Sequence, residues 1–301
     1  NDGTSFIEII KFALDTDPEV IAKRRELEAK LATVRVVEAQ KDFQVGATLY
    51  GGIEDLTDNT KGIAVAINAS RPVYDGGKLD SQIASSLFEV EAAKMDLAAT
   101  VDERANNLLS KWLELEKYKS LQSQIDKRLL VLDPLIDQLE KVADAGIGDV
   151  SKVTAAQRTI SAIRVEKTSV AEGLAQAQLD FFNAFGGLKD GVAFDYEFIN
   201  NLVPSEIDDN LVQSSPMLKS QYASYQSSLA RINALKAQDG FDVGFEARAM
   251  RPFAGSGYDS DESIGLVGRK TLFNGGMLES EIKEVEALSE ARLAQIKATF
   301  R

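Results

Sequence analysis

The chain has 301 residues, 44% of them hydrophobic, and a formal net charge of -13 at pH 7. With no clustered Lys/Arg surface, that charge argues against a nucleic-acid or anionic-lipid partner, since phosphate binding needs concentrated positive charge. The sequence has neither Cys nor His, which excludes disulfides, Cys-based zinc sites and the commonest general base and metal ligand among these residues, and no N-terminal lipidated Cys is expected. No metal site or cofactor is expected. An enzyme would have to work with carboxylates, Lys or Tyr.

No run of about 18 apolar residues exists, so no helix is expected to cross a membrane. The start, Asn1-Asp2-Gly3-Thr4, lacks a basic n-region and an apolar h-region and reads as a mature or engineered one, compatible with a removed signal peptide. Residues 5–17 form a short amphipathic helix that stops before Pro18, because the residue before proline avoids the α region. A helix over 18–42 follows, rich in helix formers such as Glu19, Ala22, Arg25 and Ala29.

A period of two comes next. Phe43, Val45, Ala47, Leu49 and Ile53 alternate with Gln44, Thr48 and Glu54, and after the polar stretch 55–61 the alternation resumes at Ile63, Val65, Ile67 and Ala69. Strands over 43–54 and 62–72 therefore form a hairpin. Such a hairpin suits a half-buried sheet on a soluble core or part of a membrane barrel with one lipid-facing side. In the second case Val45, Leu49, Val65 and Ile67 face lipid. Pro72 and the Gly76-Gly77 pair are expected to end the pairing and turn the chain into a helix.

A long helix over 77–143 carries Ile83, Leu87, Val90, Leu108, Trp112, Leu115, Ile125, Leu129, Leu132 and Ile136 at spacings of three and four. At 1.5 Å per residue it is a rod of about 100 Å. Asp133-Pro134 either kinks it or restarts it with Asp133 as cap. The turn Ala145-Gly146-Ile147-Gly148-Asp149-Val150 leads, with Ser151 as the expected cap, into a return helix over 151–185 that stops at Gly186-Gly187. The two helices pair as an antiparallel coiled-coil hairpin, with Ala155, Ala156, Ala175 and Ala177 permitting close approach.

Residues 188–215 read as an irregular excursion, and then the pattern restarts. Pro18 aligns with Pro216, Gln40 with Gln238, Phe43 with Phe241, Val45 with Val243 and Gly46 with Gly244 at one constant offset. Gly76-Gly77 align with Gly275-Gly276 at one residue more. An offset held across helix and strand indicates a duplicated helix, hairpin, helix unit. Residues 1–187 are the first repeat, and 216–301 the second. The second comprises a helix over 216–240, strands over 241–253 and 262–273, with Val243 and Phe245 in the lipid-facing set, and the start of a long helix over 277–301. A second helical hairpin is expected beyond Arg301.

The order Ala13-Leu14-x-x-x-Pro18, Pro72-Val73-Tyr74-Asp75-Gly76-Gly77, Gly148-Asp149-Val150-Ser151-Lys152-Val153-Thr154-Ala155-Ala156-Gln157, Pro216 and Phe273-Asn274-Gly275-Gly276 resembles the TolC-like outer membrane efflux protein family. The match spans nearly the whole chain, and the Gly148–Gln157 segment is most similar to the branch serving type I secretion of large adhesins. The resemblance implies a mainly α fold with β: long antiparallel helical hairpins forming a periplasmic tunnel, and a homotrimer in which each chain gives four strands to one twelve-stranded outer-membrane barrel. It implies passive conduction of exported protein, coupled through a periplasmic adaptor (membrane fusion protein) to an inner-membrane ABC transporter or proton-driven pump. Multidrug efflux is the alternative, and a periplasmic coiled-coil adaptor or scaffold is a rival from another class.

The resemblance also nominates sites. Ala145, Gly146, Ile147, Gly148, Asp149 and Val150 form the loop where an adaptor docks, against the alternative of an ordinary capped turn. Asp133, Asp137, Asp144 and Asp149 are candidates for an acidic tunnel lining, against a plain solvated helix face. Tyr50, Tyr74, Phe253 and Phe273, near strand ends, are candidates for an interfacial aromatic girdle. No catalytic residue is nominated.

Overall fold

The computed structural model describes residues 6–55, 60–146, 149–186, 194–202, 213–255 and 257–299. In chain order the elements are α1 (Phe6–Thr16), α2 (Pro18–Ala39), β1 (Gln44–Asp55), β2 (Thr60–Tyr74), α3 (Lys78–Asp144), α4 (Val150–Phe185), α5 (Tyr196–Leu202), α6 (Pro216–Ala237), β3 (Asp242–Gly255), β4 (Asp261–Arg269) and α7 (Met277–Thr299). They cluster into two compact units, one from Asn1–Ile21 and Thr100–Glu206, the other from Ala22–Ala99 and Ile207–Arg301. The units cut across the sequence repeats because the two hairpins pair with each other.

In the first unit the core forms around the only tryptophan. Trp112 is 2% exposed, and its ring lies 4.8 Å from Phe6, 5.4 Å from Phe181, 5.3 Å from Phe185 and 6.1 Å from Phe194. Ile9, Ile10 and Ala13 of α1 complete this cluster with Leu108, so the amphipathic face of α1 covers the aromatic end of the α3–α4 hairpin. Fully burying each large apolar side chain contributes about 1.5–3 kcal/mol, which makes this cluster the main anchor of α1. Phe194 enters it just before α5, whose amide at Phe198 donates to the Asp195 carboxylate at 2.9 Å. The excursion expected to be irregular thus contains a short capped helix.

Farther along the hairpin, Ile125 and Leu129 of α3 pack on Ile163 of α4. Ion pairs flank that contact, Lys167 to Asp126 at 2.7 Å and Arg164 to Asp133 at 3.1 Å. The chain does not restart at Pro134, which lies inside the 67-residue α3; Asp133 pairs with Arg164 instead of capping a helix. Close approach by alanines is also corrected: Ala155 and Ala175 are exposed, and only Ala177 of the four is buried. The close approach is made by Gly173, where a Cβ would sit 2.2 Å from the Tyr118 ring.

The second unit holds one antiparallel sheet in the order β1-β2-β3-β4. Pro216 and Pro18 begin helices of equal length, 22 residues. Small residues line α6: Ser220, Ala223, Ser227, Ser228, Ala230 and Ala234 are buried. Ser85 Oγ of α3 lies 3.0 Å from Ser227 Oγ, and Arg292 of α7 donates to the Ser224 carbonyl at 2.7 Å. Serine at these positions lets backbones approach while each buried hydroxyl keeps a partner.

Candidate functional site

The register of the sheet sorts its side chains into two faces. Val45 pairs with Ala69, Leu49 with Val65 and Ala47 with Ile67; Ala69 pairs with Ala247 and Arg71 with Phe245; Ala247 pairs with Ile264 and Phe245 with Leu266. Directly opposed residues share a face, so Val45, Leu49, Val65, Ile67, Val243 and Phe245 all lie on one side, with Ile264 and Leu266 added to them. That side is open: Leu49 is 71% exposed and Ile264 77%. The other side carries ion pairs, Arg269 to Glu246 at 2.5 Å and Arg248 to Asp261 at 3.8 Å, around Ala64 and Ala66, which are buried.

The apolar band slants across the strands. On β1 and β2 it takes in Leu49 and Val65, which face each other, and extends on β2 to Ile63, opposite Gly51. On β3 the residue opposite Val65 is already Arg251, and on β4 the residue opposite Ala249 is Glu262. Arg251 and Glu262 pair there. A band that shifts steadily from strand to strand is what tilted strands present to a layer of fixed orientation.

Tyr50 does not share the apolar face. It opposes Ala64, its ring lies 6.2 Å from Tyr258, and the Arg248 guanidinium sits 5.9 Å above it. The period of two removes it from the girdle set. Tyr74, by contrast, is carried to the face of Val243 by a register shift after Pro72, and Phe253 and Phe273 are 82% and 87% exposed.

The strand-to-helix corners follow from backbone chemistry. Gly76 and Gly77 have φ of 64° and 84°, and Gly275 and Gly276 of 69° and 81°, left-handed values that residues with a Cβ rarely adopt. The Asp75 carboxylate accepts from the amides of Gly77 at 3.0 Å and Leu79 at 2.8 Å. Asn274 accepts from Gly276 at 3.1 Å. This explains an Asp or Asn before each Gly-Gly. Pro72 does not end the pairing as expected: it sits inside β2 opposite Gly244, next to the irregularity, where its missing amide is tolerated. β4 stops at Arg269, short of the expected 273, because Arg269 pairs with Asp242, the first residue of β3, leaving no partner backbone beyond it.

At the far turn, Ala145, Gly146, Asp149 and Val150 are all exposed, while Ile147 and Gly148 lie outside the described residues. The cap of α4 is Asp149, not Ser151: its carboxylate accepts from the Ser151 amide at 2.9 Å and hydroxyl at 2.7 Å. The Ser151 hydroxyl and amide hold the Asp149 carboxyl below its ordinary range. Of the other acidic candidates, Asp133 is paired with Arg164, and Asp137 and Asp144 are exposed on α3.

The profile of the family described as "Outer membrane efflux protein" matches residues 9–187, more than half of the chain. The chain belongs to the outer membrane efflux protein family. Its place is therefore the outer membrane, extending into the periplasm, and its fold class is that of a transport channel rather than an enzyme. Among solved structures, it is similar to CusC with a TM-score of 0.81 at 14% identity, covering 97% of this chain and 71% of that one. It is similar to the outer membrane protein VceC from Vibrio cholerae (TM-score 0.76, 17% identity, 97% and 74% covered). The same holds for the MtrE outer membrane channel of Neisseria gonorrhoeae (TM-score 0.78, 12% identity, 97% and 69% covered). No curated protein matches by sequence. At these identities the structural likeness speaks for the fold alone: mainly helical, with one antiparallel sheet.

Sequence reading missed the polar face of the sheet as a surface in its own right. The signal was present in the even positions Glu246 and Arg248, which hold the alternate phase to Val243 and Phe245.

Proposed function

We propose that the chain is the protomer of a homotrimeric channel-tunnel that passively conducts exported protein across the periplasm and outer membrane, within a tripartite type I secretion system. The observation that carries the channel reading is the four-stranded sheet itself, with an exposed, slanting apolar face, an ion-paired opposite face, and edges at β1 and β4 that no strand among the described residues pairs. Open strand edges do not persist in a bilayer. Because an even number of antiparallel strands leaves edges that run in opposite directions, β4 of one copy pairs antiparallel with β1 of the next. Three copies close a twelve-stranded barrel, with the Glu246–Arg269 face toward water and the Val45–Ile264 face toward lipid.

Channels of this family act with periplasmic adaptors and inner-membrane pumps. The exposed turn from Ala145 to Val150 is the docking tip in this reading. Asp137 and Asp144, which have no ion-pair partner among the described residues, are the acidic groups that line the tunnel end in this reading. The resemblance of Gly148–Gln157 to the secretion branch supports a protein cargo. The family's description as efflux proteins supports the second reading, small-molecule efflux.

The test is the mass of the purified full-length protein in and out of detergent, followed by deletion of its gene. A detergent-requiring trimer whose loss depletes secreted proteins, with drug susceptibility unchanged, supports the proposal. Raised drug susceptibility with normal secretion shifts the cargo to small molecules. A water-soluble monomer sinks the barrel.

A further inference from the structure

We infer that two aromatic–cation pairs at the helix end of the sheet's apolar face, Phe43 with Arg71 and Phe241 with Lys270, form a duplicated binding site for the headgroup of an anionic phospholipid in the inner leaflet of the outer membrane. This rests on the membrane reading of the sheet. The Arg71 guanidinium lies 5.4 Å from the Phe43 ring centroid, and the Lys270 ammonium 5.4 Å from that of Phe241. The two pairs are repeat equivalents: Phe43 aligns with Phe241 at the offset of the prolines, and Arg71 with Lys270 at the offset of the glycine pairs. Duplication has thus kept an aromatic before the first strand and a cation at the end of the second, although arginine and lysine differ.

Position and charge point to the same ligand. Arg71 opposes Phe245, so it lies on the apolar face, at its helix end. Phe43 and Phe241 are 54% and 59% exposed, and both cations are exposed. Five other cations around the sheet have carboxylate partners: Lys41 with Asp80, Lys78 with Asp242, Arg248 with Asp261, Arg251 with Glu262 and Arg269 with Glu246. Arg71 instead donates Nε–H to the Lys41 carbonyl at 3.1 Å, and neither it nor Lys270 has a carboxylate among the described residues. In a chain of net charge -13, cations left unneutralised at the apolar boundary are complementary to an anion outside the protein. An aromatic ring beside a cation matches the headgroup level, where the ring sits among glycerol and upper acyl atoms and the cation meets phosphate. Headgroup contact depends on this local charge rather than on the net charge, which by itself argues against an anionic lipid.

The full-length protein reconstituted in nanodiscs of mixed phosphatidylglycerol and phosphatidylcholine, with retained lipid read by native mass spectrometry, tests the site. Enrichment of phosphatidylglycerol is expected. Each cation contributes about fivefold, so R71Q/K270Q should lower the enrichment by about 25-fold. R71K/K270R keeps both charges and should retain it, and Arg251→Gln, at the turn end of the same face, should leave it unchanged. Insertion with no phosphatidylglycerol preference, or a preference unaffected by R71Q/K270Q, overturns this inference while leaving the channel reading intact. Inorganic phosphate bound with the same dependence on Arg71 and Lys270 assigns the pairs to a free anion and overturns the lipid assignment. Failure to insert into any disc overturns both readings.

Discussion

Leu49 and Thr48 are neighbours on β1, both exposed, but Leu49 opposes Val65 and Thr48 opposes Ala66. If the two faces meet lipid and water respectively, arginine at the two sites has very different consequences. Leu49 sits near the middle of the 12-residue β1, so Leu49→Arg places a guanidinium near the bilayer midplane, at a cost of about 2–4 kcal/mol. At about 1.4 kcal/mol per tenfold, that shifts the folding equilibrium by roughly 30- to 700-fold. Thr48→Arg projects into water and should change stability by less than about 0.5 kcal/mol. Urea titration of full-length protein in lipid vesicles, with the folded trimer read by its mobility on unheated gels, measures both. Equal costs at the two positions, or a larger cost at Thr48, would refute the assignment of faces and with it the barrel.

Other consequences follow from the helical parts. Trp112→Ala should destabilise the protein by about 3–5 kcal/mol, while Trp112→Phe, which keeps an aromatic ring, should cost much less, as read by thermal unfolding. Gly173→Ala drives a Cβ into the Tyr118 ring and should cost about 1–3 kcal/mol for overpacking, against about 1 kcal/mol regained in helix propensity. In a Tyr118→Ala background it should be neutral or stabilising, and an additive double-mutant cycle would refute the contact. Burial acts to raise the Asp17 carboxyl but is outweighed by Arg104 and the amides of Val20 and Glu19, so it lies below its ordinary range. The stability it contributes is complete above the ordinary carboxylate pKa and is lost as pH falls through the depressed folded value. Urea midpoints of Asp17→Asn should therefore show a weaker decline than wild type in that acid range.

Much of this was legible locally. The period of two over 43–53 and 63–69 sets which residues share a face, and the spacing over 78–143 implies one long amphipathic helix. An Asp or Asn before Gly-Gly announces a left-handed turn, because glycine adopts positive φ without Cβ strain and the side chain caps the amides that the turn leaves free. The departures from expectation are of two kinds: some depend on partners distant in sequence, while the cap of α4 turns on an acceptor only two residues away. A place near a strand end suggests a girdle position for Tyr50, yet its phase and its neighbours Tyr258 and Arg248 put it on the polar face. At the far turn Ser151 suits a cap by residue type, but Asp149, two residues earlier, supplies a stronger acceptor. Ala155 and Ala175 looked like contact residues until the rotation of α4 against α3 left them outside.

The sequence by itself determined the elements, their duplication and the chemistry of each face, because these rest on periodicity and on backbone preferences within a few residues. Only the tertiary structure decided that β2 pairs with β3, and so joins the hairpins of two repeats in one sheet with an apolar side and an ion-paired side. Likewise it alone gathered Phe6, Trp112, Phe185 and Phe194 into one core. Strand register and aromatic packing are settled by contacts between segments far apart along the chain, where local pattern sets the face each residue presents but not the surface it meets.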